Sequence, residues 1–137
     1  MTTILAHIRI HRGAEDRFEA IARQLYRATH DRESGVMDYQ YWRGHEPGTY
    51  YALLAFTDHR SFIAHQLSPH HDDATPALRG VIAEMRLEWV DPVAGASPWG
   101  PTAHQPPAAD VGDDVIAATE LFAARVADWW AAQRSSG

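Results

Sequence analysis

Seven consecutive residues, Tyr50 to Phe56 (YYALLAF), are apolar on both faces of the strand they would form. A strand with one wet face alternates apolar and polar residues. This one does not, so both of its faces require cover. Helices of the same chain can cover one face. A second molecule is the simplest cover for the other, because solvent-exposed apolar patches beyond a few hundred Å² mark contacts. The alternative is a central strand whose Tyr51, Leu53 and Ala55 stay partly exposed.

The segments around this strand supply its partners. Ile4 to Ile10 alternates, with Ile4, Ala6, Ile8 and Ile10 on one side and Leu5, His7 and Arg9 on the other, which is a strand period. From Ala14 to about His30 the spacing changes to three and four residues. Phe18, Ile21, Ala22, Leu25 and Ala28 form one helical stripe behind an acidic first turn, Glu15 and Asp16. Val36 to Arg43 alternates again, with Met37, Tyr39 and Tyr41 opposite Asp38, Gln40 and Trp42. The turn Gly44 to Gly48 makes it a hairpin with Tyr50 to Phe56. Asp58 and Ser68-Pro69 read as helix starts, and Pro76 is expected to kink or end the second of these helices. Ile82 to Val90 is a fourth strand, its apolar side Ala83, Met85, Leu87 and Trp89. The order βαββαβ predicts a ferredoxin-like α+β domain over residues 1–91, with a four-stranded antiparallel sheet. Residues 92–110 hold five prolines and read as an irregular linker. One amphipathic helix is expected over 111–134, packed on its own protomer or on a partner.

Length and charge narrow the function. The chain's 137 residues suit one domain. A formal charge of −6 and no cluster of Lys and Arg argue against a nucleic-acid partner. There is no Cys, so thiolate chemistry is excluded. The first residues, MTTILAHIRIH, do not read as a signal peptide. No apolar run approaches the roughly 18–20 residues of a membrane span. The expectation is a cytoplasmic protein without membrane association.

The stretch from Thr3 to Val90 resembles the antibiotic biosynthesis monooxygenase domain, a dimeric α+β barrel. The resemblance lies in Ser34-Gly35 before an aromatic strand, in Tyr50 to Phe56, and above all in the run after Asp58 and Phe62: Ala64-His65, then Ser68-Pro69-His70. It implies a homodimer joined through the sheet face, a pocket between sheet and helices, and no cofactor. It also implies a monooxygenase that deprotonates an aromatic, polyketide-like phenol and lets it react with O₂. An aromatic polyketide cyclase of the same architecture, or a small-molecule binding protein without catalysis, are the alternatives. Leu54 and Phe56 stand where many members carry Glu and Trp, and the chain contains no Asn, on which the quinone-forming members rely. His7 and Ala74 stand at the positions used by haem-degrading members, which disfavours that activity.

Candidate residues follow. His65, one turn after Phe62, is a catalytic acid/base candidate, since histidine titrates near neutrality; packing against a strand is its alternative role. His7 is a second candidate base if its face lies under the helices, and an interface residue if not. Tyr39, Trp42, Tyr50, Phe56 and Phe62 are expected to bind a flat aromatic substrate, with His70 beside them. Arg86 would stabilise a phenolate oxygen, or else pair with Glu84 or Glu88. His59, His70, His71, Asp72 and Asp73 lack the spacing of a tight metal motif, so no metal is expected.

Overall fold

The computed structural model describes residues 1–135. Its first element is strand β1 (Thr2–Ile10), and the alternation of its residues decides which side of the sheet is covered. Thr2, Ile4, Ala6, Ile8 and Ile10 are all buried, while His7 is half-buried and Arg9 exposed. Helix α1 (Glu15–Arg32) buries Phe18, Ala22, Leu25 and Thr29, one stripe at helical spacing. Strands β2 (Val36–Arg43) and β3 (Thr49–Phe56) form the hairpin. Helices α2 (His59–Gln66) and α3 (Pro69–Val81) follow, and strand β4 (Ile82–Val90) closes the unit.

The sheet order is β2-β3-β1-β4, with every neighbouring pair antiparallel. Ile4 lies opposite Leu54 on one side and Trp89 on the other, so those three face the helices together. His7 lies opposite Tyr51 and Arg86, so those three share the outer face. This is the ferredoxin-like α+β arrangement expected from the sequence.

The caps read from the sequence form as such. The Asp58 side chain accepts from the Ser61 N–H at 2.8 Å, and the Ser68 hydroxyl accepts from the His71 N–H at 3.3 Å. Pro76 does not end α3, which runs on to Val81. Register shifts place Met37 and Ala83 outside the regular pairing, so neither continues the inward face that strict alternation gave it.

One glycine fixes how α2 meets the sheet. The Gly35 carbonyl accepts from the Thr57 N–H at 2.8 Å, and a Cβ on Gly35 would lie 2.3 Å from Ser61 Oγ and 2.5 Å from Ser61 Cβ. Only a residue without a side chain lets the α1–β2 connection sit this close to α2.

Beyond β4 the chain departs from the single helix expected over 111–134. It forms α4 (Asp113–Leu121) and α5 (Asp128–Ser135), separated by an irregular break. The break has a tertiary cause. The Phe122 carbonyl accepts from His59 Nε2 at 2.9 Å, and the Ala124 N–H donates to His104 Nδ1 at 3.2 Å. Both backbone groups are thereby withdrawn from helix continuation. Val126, in the break, and Trp129, in α5, are exposed rather than lining one continuous apolar side.

This segment packs on its own chain. Helix α4 lies against α2, and Phe122 meets Phe62 edge-on at 5.9 Å. The Arg134 guanidinium clasps Asp91 through Nε (3.0 Å) and Nη2 (2.5 Å), and donates also to the Thr102 carbonyl at 2.9 Å. Buried Thr102 in turn donates to the Val90 carbonyl and accepts from the Thr3 N–H. No helix among the described residues is long and apolar enough to cross a membrane.

Candidate active site

A cavity of about 490 Å³ lies between the sheet and the helices. Its floor comes from all four strands, through Ala6, Ile8, Ala52, Leu54, Met85 and Leu87 among others. That volume falls in the range of about 300–1,000 Å³ usual for small-molecule sites. The lining is mainly apolar, so its few polar groups decide what it can do. They are His65 and Gln66 from α2, His71, Thr75 and Arg79 from α3, and the Tyr39 and Tyr41 hydroxyls from β2.

His65 is the best-supported of these. Its ring is 1% exposed, and its Nδ1 lies 2.8 Å from Glu33 Oε2. The same carboxylate oxygen lies 2.6 Å from His70 Nε2. Burial pushes the Glu33 carboxyl up, but the hydrogen bonds and charges of His65 and His70 outweigh it and hold it below the usual carboxylate value. An ionised carboxylate only accepts, so both imidazoles donate to it. That places a proton on His65 Nδ1, so in the neutral ring Nε2 is the nitrogen that carries the lone pair. His65 Nε2 has no hydrogen-bond partner among the described residues.

Each element contributes to this placement. His65 follows Phe62 by three residues, so α2 turns both toward the sheet. Ser68 caps α3 and also donates to the His65 carbonyl at 2.7 Å, which ties the two helices at that point. Glu33 caps the C-terminal end of α1, and the close approach at Gly35 brings it against α2.

His71 is the second notable group. Its Nδ1 is buried and unpartnered, and its ring lies 5.2 Å from that of His65. Burial, with the neighbouring His65 next in weight, pushes the imidazole down to about 4, so it is neutral at neutral pH. The Tyr39 and Tyr41 hydroxyls bond one another at 2.7 Å. Burial raises both, Tyr41 to about 12 and Tyr39 well above the usual phenol value, so both keep their protons.

Glu33, His65 and His70 also offer one ligand atom each within 4.8 Å of one another, the composition of a divalent-metal site. Each of those atoms already takes part in the carboxylate–imidazole hydrogen bonds, so the trio is satisfied without an ion.

The residues named from sequence divide in two. His65, Tyr39 and Phe62 line the cavity. His70 sits behind it on Glu33. Phe56 is fully buried between Phe62 and His65, with ring centroids at 5.6 and 5.3 Å, and does not line the cavity. Tyr50 packs on Phe18, and its hydroxyl donates to Glu19 at 2.5 Å, in a separate groove between α1 and β2. Arg43 donates to the same Glu19 carboxylate, and these two hydrogen bonds hold Glu19 down to about 2.

Trp42, His7 and Arg86 are not in the cavity. Trp42, in β2, is exposed and donates to Gln40. Of the two placements open to His7, the structure takes the outer face, where Nε2 meets Glu88 at 2.9 Å. Arg86 lies near the same Glu88 at 3.7 Å, the ion pair weighed as its alternative. Sequence reasoning missed Glu33, His71 and Tyr41 as site residues. Glu33 carried a signal, because a carboxylate at a helix C-terminus opposes the helix dipole and needs a compensating partner.

Residues 1–77, more than half of the chain, match the family model described as antibiotic biosynthesis monooxygenase. Solved structures agree in fold. One solved as an antibiotic biosynthesis monooxygenase is 19% identical with a TM-score of 0.62, the match covering 68% of this chain and 99% of that one. The Rv0793 protein of Mycobacterium tuberculosis is 15% identical with a TM-score of 0.63, covering 70% and 98%. A conserved protein of Methanosarcina mazei Go1 is 20% identical with a TM-score of 0.61, covering 65% and 89%. No curated protein matches the chain.

Proposed function

Because the chain belongs to the antibiotic biosynthesis monooxygenase family, we propose that it is a cofactor-independent monooxygenase acting on an aromatic, polyketide-like phenol, with His65 as its base. One observation carries this reading: an imidazole held by a half-buried carboxylate through Nδ1, on the wall of an otherwise largely apolar cavity. Such a pair is poised for proton abstraction, because Glu33 stabilises the imidazolium that forms.

The steps balance without a further reactant. His65 removes a proton from the activated ring methylene of the phenol, leaving a delocalised carbanion. That carbanion passes one electron to O₂, and the two radicals combine into a peroxide. Loss of water, with a proton returned from His65, leaves a new carbonyl. One oxygen atom enters the product and the other leaves as water. The neutral His71 imidazole accepts a hydrogen bond from the substrate hydroxyl, and the dry walls orient the ring. His7 has no part in this chemistry. In the same reading, a second copy of the chain covers the outer sheet face over Leu5, Tyr51 and Leu53.

Oxygen uptake with an anthrone tests the proposal. The whole chain is expected to consume O₂ and form the corresponding quinone, and His65→Ala to lose about 10²–10⁴-fold in kcat. Unchanged turnover in His65→Ala would remove His65 as the base. Ring closure of a linear polyketide without O₂ uptake would favour the cyclase instead.

A further inference from the structure

One wall of the cavity comes from outside the family domain. The family match ends at residue 77, and about two thirds of this chain accounts for 89–99% of the three solved relatives. About a third of this chain therefore has no counterpart in them, and the segment after β4 is of that size. Phe122, from this segment, lines the cavity.

Its position is built. Phe122 packs edge-on against Phe62, itself a cavity residue. The Phe122 carbonyl is held by His59 Nε2, and His59 is fully buried. The other nitrogen of that ring, Nδ1, lies against the Gln105 backbone, 3.1 Å from its carbonyl and 3.3 Å from its N–H, and Nε2 is the donor to Phe122 because a carbonyl only accepts. His104 lies 4.7 Å from His59 and binds the Ala124 N–H, two residues further on. Two histidines thus break the helix at the point where the ring enters the cavity.

We propose that Phe122 is a specificity-determining residue: the C-terminal segment closes one side of the cavity and sets the length of ligand it admits. This rests on the reading of the cavity as a site for aromatic phenols. A domain without this segment would leave that side open and take longer ligands.

A ladder of probes reads this directly by calorimetry, with no turnover needed: 4-ethyl-, 4-butyl-, 4-hexyl- and 4-octylphenol. Affinity should rise about fourfold per methylene while the tail finds apolar wall, then fall where the tail meets Phe122. In Phe122→Ala the break should move to longer tails by about two methylenes or more, into the space the ring leaves. In Phe122→Trp it should move to shorter ones. Phe122→Leu keeps the contact with Phe62 and gives an intermediate break, should the alanine variant not fold. A break at the same tail length in all the folded variants would overturn the proposal while leaving the phenol site intact. If no alkylphenol binds the wild-type chain, the aromatic-ligand reading fails and this one with it.

Discussion

Two histidines of this chain each meet a glutamate at nearly the same distance, on opposite faces of one sheet. His65 Nδ1 lies 2.8 Å from Glu33, with side chains 1% and 13% exposed. His7 Nε2 lies 2.9 Å from Glu88, with side chains 30% and 46% exposed. Distance does not separate them; surroundings do. Water screens the outer pair and competes for its hydrogen bonds, so its worth is below about 1 kcal/mol. The inner pair has lost most of its water, so each partner depends more on the other. A short contact therefore says little about function until burial is known.

That contrast can be tested at four strengths. The largest effect is on rate. His65→Ala should lose most of the proposed turnover, whereas His7→Ala should keep it within about twofold, since a general base contributes about 10²–10⁴-fold and a surface pair none of it. Equal losses in the two variants would break the comparison.

Stability comes next. Glu33→Ala leaves two imidazole donors without their acceptor, at about 1–3 kcal/mol each. Glu88→Ala should cost below about 1 kcal/mol. Urea melts of both variants measure the difference, and similar midpoints would count against the buried pair. Gly35→Ala should fall between these, because Ser61 must move to admit a Cβ and Glu33 moves with the connection. It should lower both midpoint and rate, while Ser61→Gly in the same chain restores part of each.

The smallest effect is a pH dependence. His71 is depressed to about 4, whereas an unfolded histidine titrates near 6.5. Between those values the unfolded chain binds more protons, so stability falls as pH drops through that window. His71→Phe should flatten the fall in melting temperature between about pH 6.5 and 4.5. Glu33 and Glu19, both lowered, add to the fall from the acid end of that window downward, since their unfolded midpoint is 4.5, so the upper half of the window reports His71 most directly. An unchanged slope in His71→Phe would show that the ring is not held neutral by its site.

Much of the fold could be read from periodicity alone. Alternation in Ile4 to Ile10, the stripe Phe18 to Ala28, and the caps Asp58 and Ser68 are local signals, and each element they announce forms. The break between α4 and α5 is not local. It depends on His59 and His104, which reach Phe122 and Ala124 only once the chain has folded back. No hydrophobic pattern within 111–134 carries that information. The site was half legible for a related reason. Tyr39 and Trp42 fall on opposite faces by strict alternation, so both could not line one cavity, yet both were candidates. Alternation separates the faces without saying which of them the helices cover. Phe18 and Phe62 answer that by packing on the side of Ile4 and Leu54. Glu33 lay beyond the end of a helix stripe, where periodicity has nothing to say.

The proton shared by His65 Nδ1 and Glu33 Oε2 sits where solvent hardly reaches. Its residence time should therefore be long on the scale of a magnetic-resonance experiment. A ¹⁵N-edited spectrum would then show a separate, far-downfield imidazole line for His65 and none for His7, whose proton trades freely with water. The same line would report on the ligand: anything that takes a hydrogen bond from or gives one to the far nitrogen of that ring redistributes its electron density and moves the resonance.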